Sequence, residues 1–188
     1  MVAGDLASPA QVLKEIEEAS QKQFLPIIGP QKGKYLVETV QEKGIKKVLE
    51  VGTLVGYSAI LIASNLPEDG SVDTIEINPA SAEKAGRNIR RAGLTEKIKI
   101  HVGDARSVIP QIKEQFDMAF IDAAKDQYLD YLKLCEPKLK KNGVVFADNV
   151  KIFAGQMSDF LNYVRNSGQY RSRFIDLGFD GVEISIRQ

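Results

Sequence analysis

The chain has 188 residues, 44% of them hydrophobic, enough to build one substantial core. Its 25 basic and 25 acidic residues cancel, so no strong net field draws it to nucleic acid or to an anionic membrane. Cys135 is the only cysteine, which excludes an internal disulfide framework. No apolar run approaches the roughly 20 residues of a membrane span, and a soluble, cytoplasmic protein is the expectation.

In chain order, Ser8 and Pro9 make a helix start ahead of Val12, Leu13, Ile16 and Ala19, whose spacing predicts one buried face. Gly29 and Pro30 open a second helix that stops at Gly44. Short apolar strands then alternate with helices. The strands are predicted at 46–51, 72–77, 97–102, 117–122 and 143–148. The helices begin near Tyr57, Pro79, Ala105, Lys125 and Gln156, with Gly93 where a C′ residue belongs. This alternation predicts an α/β fold, a doubly wound and mostly parallel sheet with helices on both faces. The final stretch "RFIDLGFDGVEISI" reads as a hairpin around Asp180-Gly181 that adds an antiparallel strand. One domain over residues 1–188 is expected.

Five acids mark one end of this sheet. Glu50, Glu76, Asp122 and Asp148 fall at or near the carboxyl ends of strands one, two, four and five, and Asp104 just follows strand three. In open α/β sheets, ligands bind in the crevice outside those ends. Each acid alone could simply cap the next helix. That explanation suits Glu50 and Glu76 poorly, because both sit in otherwise apolar strands where an unpaired carboxylate is costly.

The loop "EVGTLVGYSA" places Gly52 and Gly56 after the first strand, where backbone can approach a ligand. Its spacing is not G-x-G-x-x-G, and Glu50 would repel a pyrophosphate while suiting a cationic amine or sulfonium. Glu76 ends the second strand, where nucleotide-binding folds place an acid against ribose hydroxyls. Adenosine without phosphates, but with positive charge, describes S-adenosylmethionine.

The run from Val48 to about Val150 resembles the cation-dependent class I O-methyltransferases, the group of catechol and caffeoyl-CoA O-methyltransferases and their bacterial relatives. The motifs that carry the resemblance are "LEVGTLVGYSA", "TIEINP", "GDARSVIPQI", "FIDAAKDQY" and "ADNV". It implies a Rossmann-like sheet of seven strands with the last antiparallel, and a homodimer. It also implies that the helices of residues 1–44 cover the cofactor, with Ile28 of "IIGPQKGKYL" at its methionine end. Glu50, Gly52, Tyr57 and Ser58 correspond to positions around that same end, Glu76 to the ribose, and Asp104 and Ala105 to the adenine, with Asp122 also beside the cofactor.

The same resemblance assigns Asp122, Asp148 and Asn149 as ligands of one divalent cation. Two carboxylates and an amide oxygen suit a hard ion such as Mg²⁺. Lys125 corresponds to the general base, acting with Asp122 as the catalytic pair; a nearby divalent cation disfavours the protonated amine. Ala123 and Ala124 stand where catechol-type members carry bulkier side chains. His101 and Cys135 read as structural, and Tyr128 and Tyr131 as packing residues. The acceptor expected is a small ortho-dihydroxy aromatic, because chelation needs two adjacent oxygens. A wobble-position hydroxyuridine in tRNA is the alternative, and a nicotinamide-type oxidoreductase or binding protein is a third class.

Overall fold

The start signal at Ser8-Pro9 is used in the computed structural model, which describes residues 6–188. The Ser8 hydroxyl accepts the Gln11 amide at 3.2 Å, and α1 (Pro9–Lys22) turns Val12 and Ile16 into the core. After α2 (Gly29–Glu42), strands and helices alternate: β1 (Lys47–Val51), α3 (Tyr57–Asn65), β2 (Ser71–Glu76), α4 (Pro79–Arg91), β3 (Ile98–Val102) and α5 (Ala105–Val108). The second half holds β4 (Phe116–Ile121), α6 (Tyr128–Cys135), β5 (Leu139–Ala147), α7 (Ser158–Asn166), β6 (Tyr170–Asp176) and β7 (Gly181–Arg187).

The strands form one seven-stranded sheet in the order β3-β2-β1-β4-β5-β7-β6. β1 to β5 run parallel, and β7 lies antiparallel between β5 and β6. The hairpin is therefore where the sequence put it, closed by the pair Asp176 and Gly181. Two local differences appear. Lys125 opens a 3₁₀ turn over Lys125–Gln127, and the α-helix begins only at Tyr128. β5 begins at Leu139, earlier than expected, and its register with β4 shifts between Phe116 and Met118. Asn142 takes a φ of 61° there, while Lys140 reaches back to Asp117 at 2.6 Å.

Side-chain alternation divides the core in two. Val48, Val72, Met118, Phe120, Val144 and Phe146 pack with α1 to α4 on one face. Leu49, Val51, Ile75, Ala119, Ile121 and Val145 pack with the α5–α7 side on the other. Glu50 shares the parity of Val48, so its side chain points toward α3. Thr74, its register partner on β2, points the same way.

The chain order reverses between β1 and β4, the switch point at which such sheets open a crevice. Gly52 crosses that gap. Its φ is +105°, and a Cβ there would lie 2.1 Å from the Asp122 carbonyl oxygen. Only glycine lets the first loop run this close to the end of β4.

Gly52→Ala should therefore cost about 2–4 kcal/mol, through backbone strain plus a clash with backbone. Gly29→Ala, also at positive φ but with nothing within 4 Å, should cost only about 1 kcal/mol. Urea unfolding of both variants checks this; equal costs would show that the close approach at Gly52 is not what demands glycine.

Candidate active site

A cavity of about 590 Å³ opens at the switch point. Backbone bonds hold its rim together: Gly52 N–H donates to Ile75 at 3.0 Å, Asp122 N–H to Val51 at 2.9 Å, and Asp148 N–H to Ile121 at 3.1 Å. Of the residues singled out in the sequence, Ile28, Gly52, Tyr57, Ser58, Glu76, Asp104, Ala105, Asp122, Lys125 and Asn149 line it, as do Ala123 and Ala124. Glu50 and Asp148 do not. Both are buried, next to the cavity in sequence but turned to partners of their own.

Glu50 is fully buried, and the hydroxyls of Ser58 and Thr74 each donate to one of its carboxylate oxygens. Burial pushes its carboxyl from 4.5 up to about 7, against the pull of those two hydroxyls. Glu50, expected near a sulfonium, thus lies outside the cavity lining with a hydroxyl on each oxygen, and the Ser58 hydroxyl proton is spent on Glu50. Glu76 does face the cavity. Its two oxygens accept the Leu54 amide at 2.7 Å and the Asn78 amide at 2.9 Å, which leaves lone pairs on both. Tyr57 donates to Glu17 of α1 at 2.5 Å, and no side chain caps the amino terminus of α3 beside it. Asp104 behaves as a cap: it accepts the Arg106 amide at 2.8 Å and pairs with the Arg106 guanidinium, which holds its carboxyl below the usual range.

At the other end of the cavity, Lys125 Nζ lies 2.6 Å from Asp122 Oδ1 and 2.9 Å from the Tyr128 hydroxyl. Tyr128 in turn donates to the Asp148 carbonyl at 3.1 Å. The packing role expected for Tyr128 is real, with its ring edge-on to Phe160, but its hydroxyl also ties Lys125 to the end of β5. Tyr131 lines the cavity and donates to Gln127 at 2.9 Å.

Two charged residues that sequence reasoning missed complete this end. Lys32 of α2 places Nζ 2.6 Å from both Asp148 Oδ1 and Asp180 Oδ2. Asn149, at a φ of 63°, donates its backbone N–H to Asp148 at 2.7 Å and its amide nitrogen to Asp180 at 2.8 Å. Burial pushes Asp148 up to about 7, the Asp122 charge adds to this, and Lys32 opposes it. Burial also works on Asp180, but the bonds from Lys32, Asn149 and the Gly181 amide outweigh it and bring the carboxyl down to about 2. Among the described residues, no group of three or more His, Cys, Asp or Glu side chains is arranged to hold a metal ion. The predicted set has two such side chains and an amide. Its Asp122 and Asp148 come from neighbouring strand ends.

The residues read as structural keep that role. His101 bonds Asp73 at 2.6 Å across β3 and β2. Cys135 is buried, and burial pushes its thiol up to about 12. No helix among the described residues is long and apolar enough to cross a membrane.

Fold and crevice together define a nucleotide-type α/β protein with an acidic cluster at its strand ends. The O-methyltransferase family model matches residues 5–167, and the chain belongs to that family. Catechol O-methyltransferase B of Danio rerio is 38% identical over 192 aligned positions, covering 95% of this chain and 72% of that protein. A catechol O-methyltransferase of Niastella koreensis is 40% identical over 127 positions, covering 65% of this chain and 58% of that protein. Among solved structures, the O-methyltransferase TomG of Streptomyces achromogenes in complex with SAM superposes with a TM-score of 0.86 at 26% identity, covering 95% of this chain and 90% of that one. An O-methyltransferase of Bacillus cereus in complex with SAH gives 0.85 at 26% identity, covering 100% and 93%.

The raised carboxyl of Glu50 has a consequence for stability. Its folded value of about 7 lies above its ordinary 4.5, so the folded protein holds the proton more tightly than the unfolded chain. Stability from this group is present below pH 4.5 and is lost as pH rises toward 7. At ~1.4 kcal/mol per pH unit, the loss is on the order of 3 kcal/mol. Glu50→Gln cannot ionise, so it should gain about that much relative to the parent between pH 4 and pH 8. Chemical denaturation at those two pH values measures it; parallel stability curves would mean Glu50 is not the group responsible.

Proposed function

We propose that the protein transfers the methyl group of S-adenosylmethionine to one hydroxyl of an ortho-dihydroxy aromatic, with a divalent cation held by Asp122, Asp148 and Asn149. The observation that carries this reading is a single cavity joining Glu76 at one end to Asp122, Lys125 and Asn149 at the other. The named ligands of the two solved relatives, SAM and SAH, support the cofactor. The catechol methyltransferases among the relatives support the acceptor class.

The free lone pairs of Glu76 suit ribose hydroxyls, and the uncapped amino terminus of α3 suits the carboxylate of the methionine part. Ile77 and Ala105 offer apolar wall to the adenine, and Phe24, Ile152 and Phe153 to the acceptor ring. Asp122 Oδ2, Asp148 Oδ2 and Asn149 Oδ1 carry no hydrogen bond among the described residues. No buried side-chain oxygen or nitrogen among them lacks a partner, so these three atoms are not sealed in. Hard oxygens of this kind fit Mg²⁺ or a similar ion, which when bound acidifies and orients the acceptor hydroxyl. Lys125, steadied by Asp122 and Tyr128, is placed to take the released proton when its own amine is neutral. The acceptor oxygen bonds to the methyl carbon as the carbon–sulfur bond breaks, giving a methyl ether and S-adenosylhomocysteine. Much of the acceleration comes from holding the two reactants in line in one cavity.

With labelled methyl donor, a catechol should be methylated in the presence of Mg²⁺, with activity removed by EDTA and restored by added Mg²⁺. Lys125→Met should lower turnover by about 10²–10⁴ while S-adenosylhomocysteine affinity is kept. Efficient labelling of hydroxyuridine-containing tRNA with negligible catechol turnover would overturn the acceptor assignment. Activity indifferent to EDTA would overturn the cation.

A further inference from the structure

Lys32 and Asp180 are not among the ligands or the bases of the proposed site, yet both are directed at it. They come from distant parts of the chain: Lys32 from the first turn of α2, and Asp180 from the turn between β6 and β7. Lys32 is 15% exposed at its side chain and Asp180 only 7%. Side chains of opposite charge that are withdrawn from water need a reason to be there, because desolvation consumes much of the attraction between them.

We infer that Lys32 and Asp180 are positioning residues for the cation ligands. They bind one side of Asp148 and one side of Asn149, and so leave Asp148 Oδ2 and Asn149 Oδ1 free to hold the ion. The inference rests on the reading of Asp122, Asp148 and Asn149 as cation ligands.

Asp148 Oδ1 accepts two donors, Lys32 Nζ at 2.6 Å and the Asn149 amide at 2.7 Å. Two donors fill the acceptor capacity of one carboxylate oxygen. Oδ2 is the oxygen left over. The Asn149 amide poses a separate problem, because its two ends are nearly equal in shape and only bonding decides which one faces the crevice. Asp180 Oδ2 decides it. An ionised carboxylate can accept from the amide nitrogen, as it does at 2.8 Å, but offers nothing to the carbonyl end. Asn149 Oδ1 is therefore turned away from Asp180. Lys32 bonds that same Asp180 oxygen at 2.6 Å, so one ammonium steadies both arrangements. Partners of this type commonly change metal affinity by about 10–100-fold when removed.

Charge alone predicts the opposite for Lys32. An ammonium beside a cation site repels the incoming ion, so removing it should tighten binding. Lys32→Met separates the two accounts. Mn²⁺ alone is the probe, with free ion read by electron paramagnetic resonance and bound water by solvent proton relaxation. Lys32→Met and Asp180→Ala should each weaken Mn²⁺ binding by about 10–100-fold, while S-adenosylhomocysteine affinity stays near that of the parent. Removing one member of a buried ion cluster also lowers the melting temperature, so binding is measured at a temperature where each variant is folded by circular dichroism. Asp180→Ala should also increase the water bound to each Mn²⁺, as Asn149 ceases to be a fixed ligand. Lys32→Arg, which can still bridge two carboxylates, should recover most of the affinity. Mn²⁺ binding in Lys32→Met as tight as in the parent, or tighter, would make Lys32 a competing charge and overturn the inference. Retained affinity and unchanged water in Asp180→Ala would do the same. Should Asp148→Ala leave Mn²⁺ affinity untouched, the cation-site reading itself fails, and this inference with it.

Discussion

Parallel strands deliver their last side chains to one end of the sheet, and four of the five here carry an acid within one residue of that end. Keeping Glu50, Glu76, Asp122 and Asp148 together in a low-dielectric crevice is the constraint around which the rest is arranged. Each is met by a different device. Glu50 takes hydroxyls from α3 and β2. Glu76 takes backbone amides from the loops that flank it. Asp122 takes Lys125 from the turn that follows, and Asp148 takes Lys32 from α2. The helices before β1 and the hairpin at the far end are therefore more than covers, since Lys32 and Asp180 complete the charge pattern from either side.

This division of labour also separates structure from chemistry within one motif. Glu50 is buried away from the cavity with a hydroxyl on each oxygen, and Asp104 is engaged by the Arg106 amide and guanidinium. Glu76, Asp122 and Asn149 keep unbonded lone pairs toward the cavity. Membership of the O-methyltransferase family agrees with a crevice whose polar groups are ordered before any ligand arrives. Preorganised dipoles and charges are what a reaction limited by alignment needs.

Much of the fold was legible because it is written locally. Helix starts at Ser8-Pro9, Tyr57, Pro79 and Ala105 follow from caps, prolines and alternation, and the hairpin follows from Asp180-Gly181. The early start of β5 was not legible, because it depends on pairing with Phe116 rather than on its own polar residues. In the site, the acids were visible from their places at strand ends. Their partners were not. Lys32 lies 116 residues from Asp148 and 148 from Asp180, and a lysine in the first turn of an exposed-looking helix carries no local mark of such a contact. The burial of Glu50 was likewise invisible until Ser58 and Thr74 were seen to converge on it.

The central claim is that the acid ending β2 reads the ribose of an S-adenosyl ligand. Calorimetric titration of the parent and of Glu76→Ala with S-adenosylhomocysteine tests it most directly. Loss of charge-assisted bonds to the ribose hydroxyls predicts a weakening of roughly 1.5–3 kcal/mol, or about 10–150-fold, in the variant. Equal affinity in the two proteins, both folded, would contradict it.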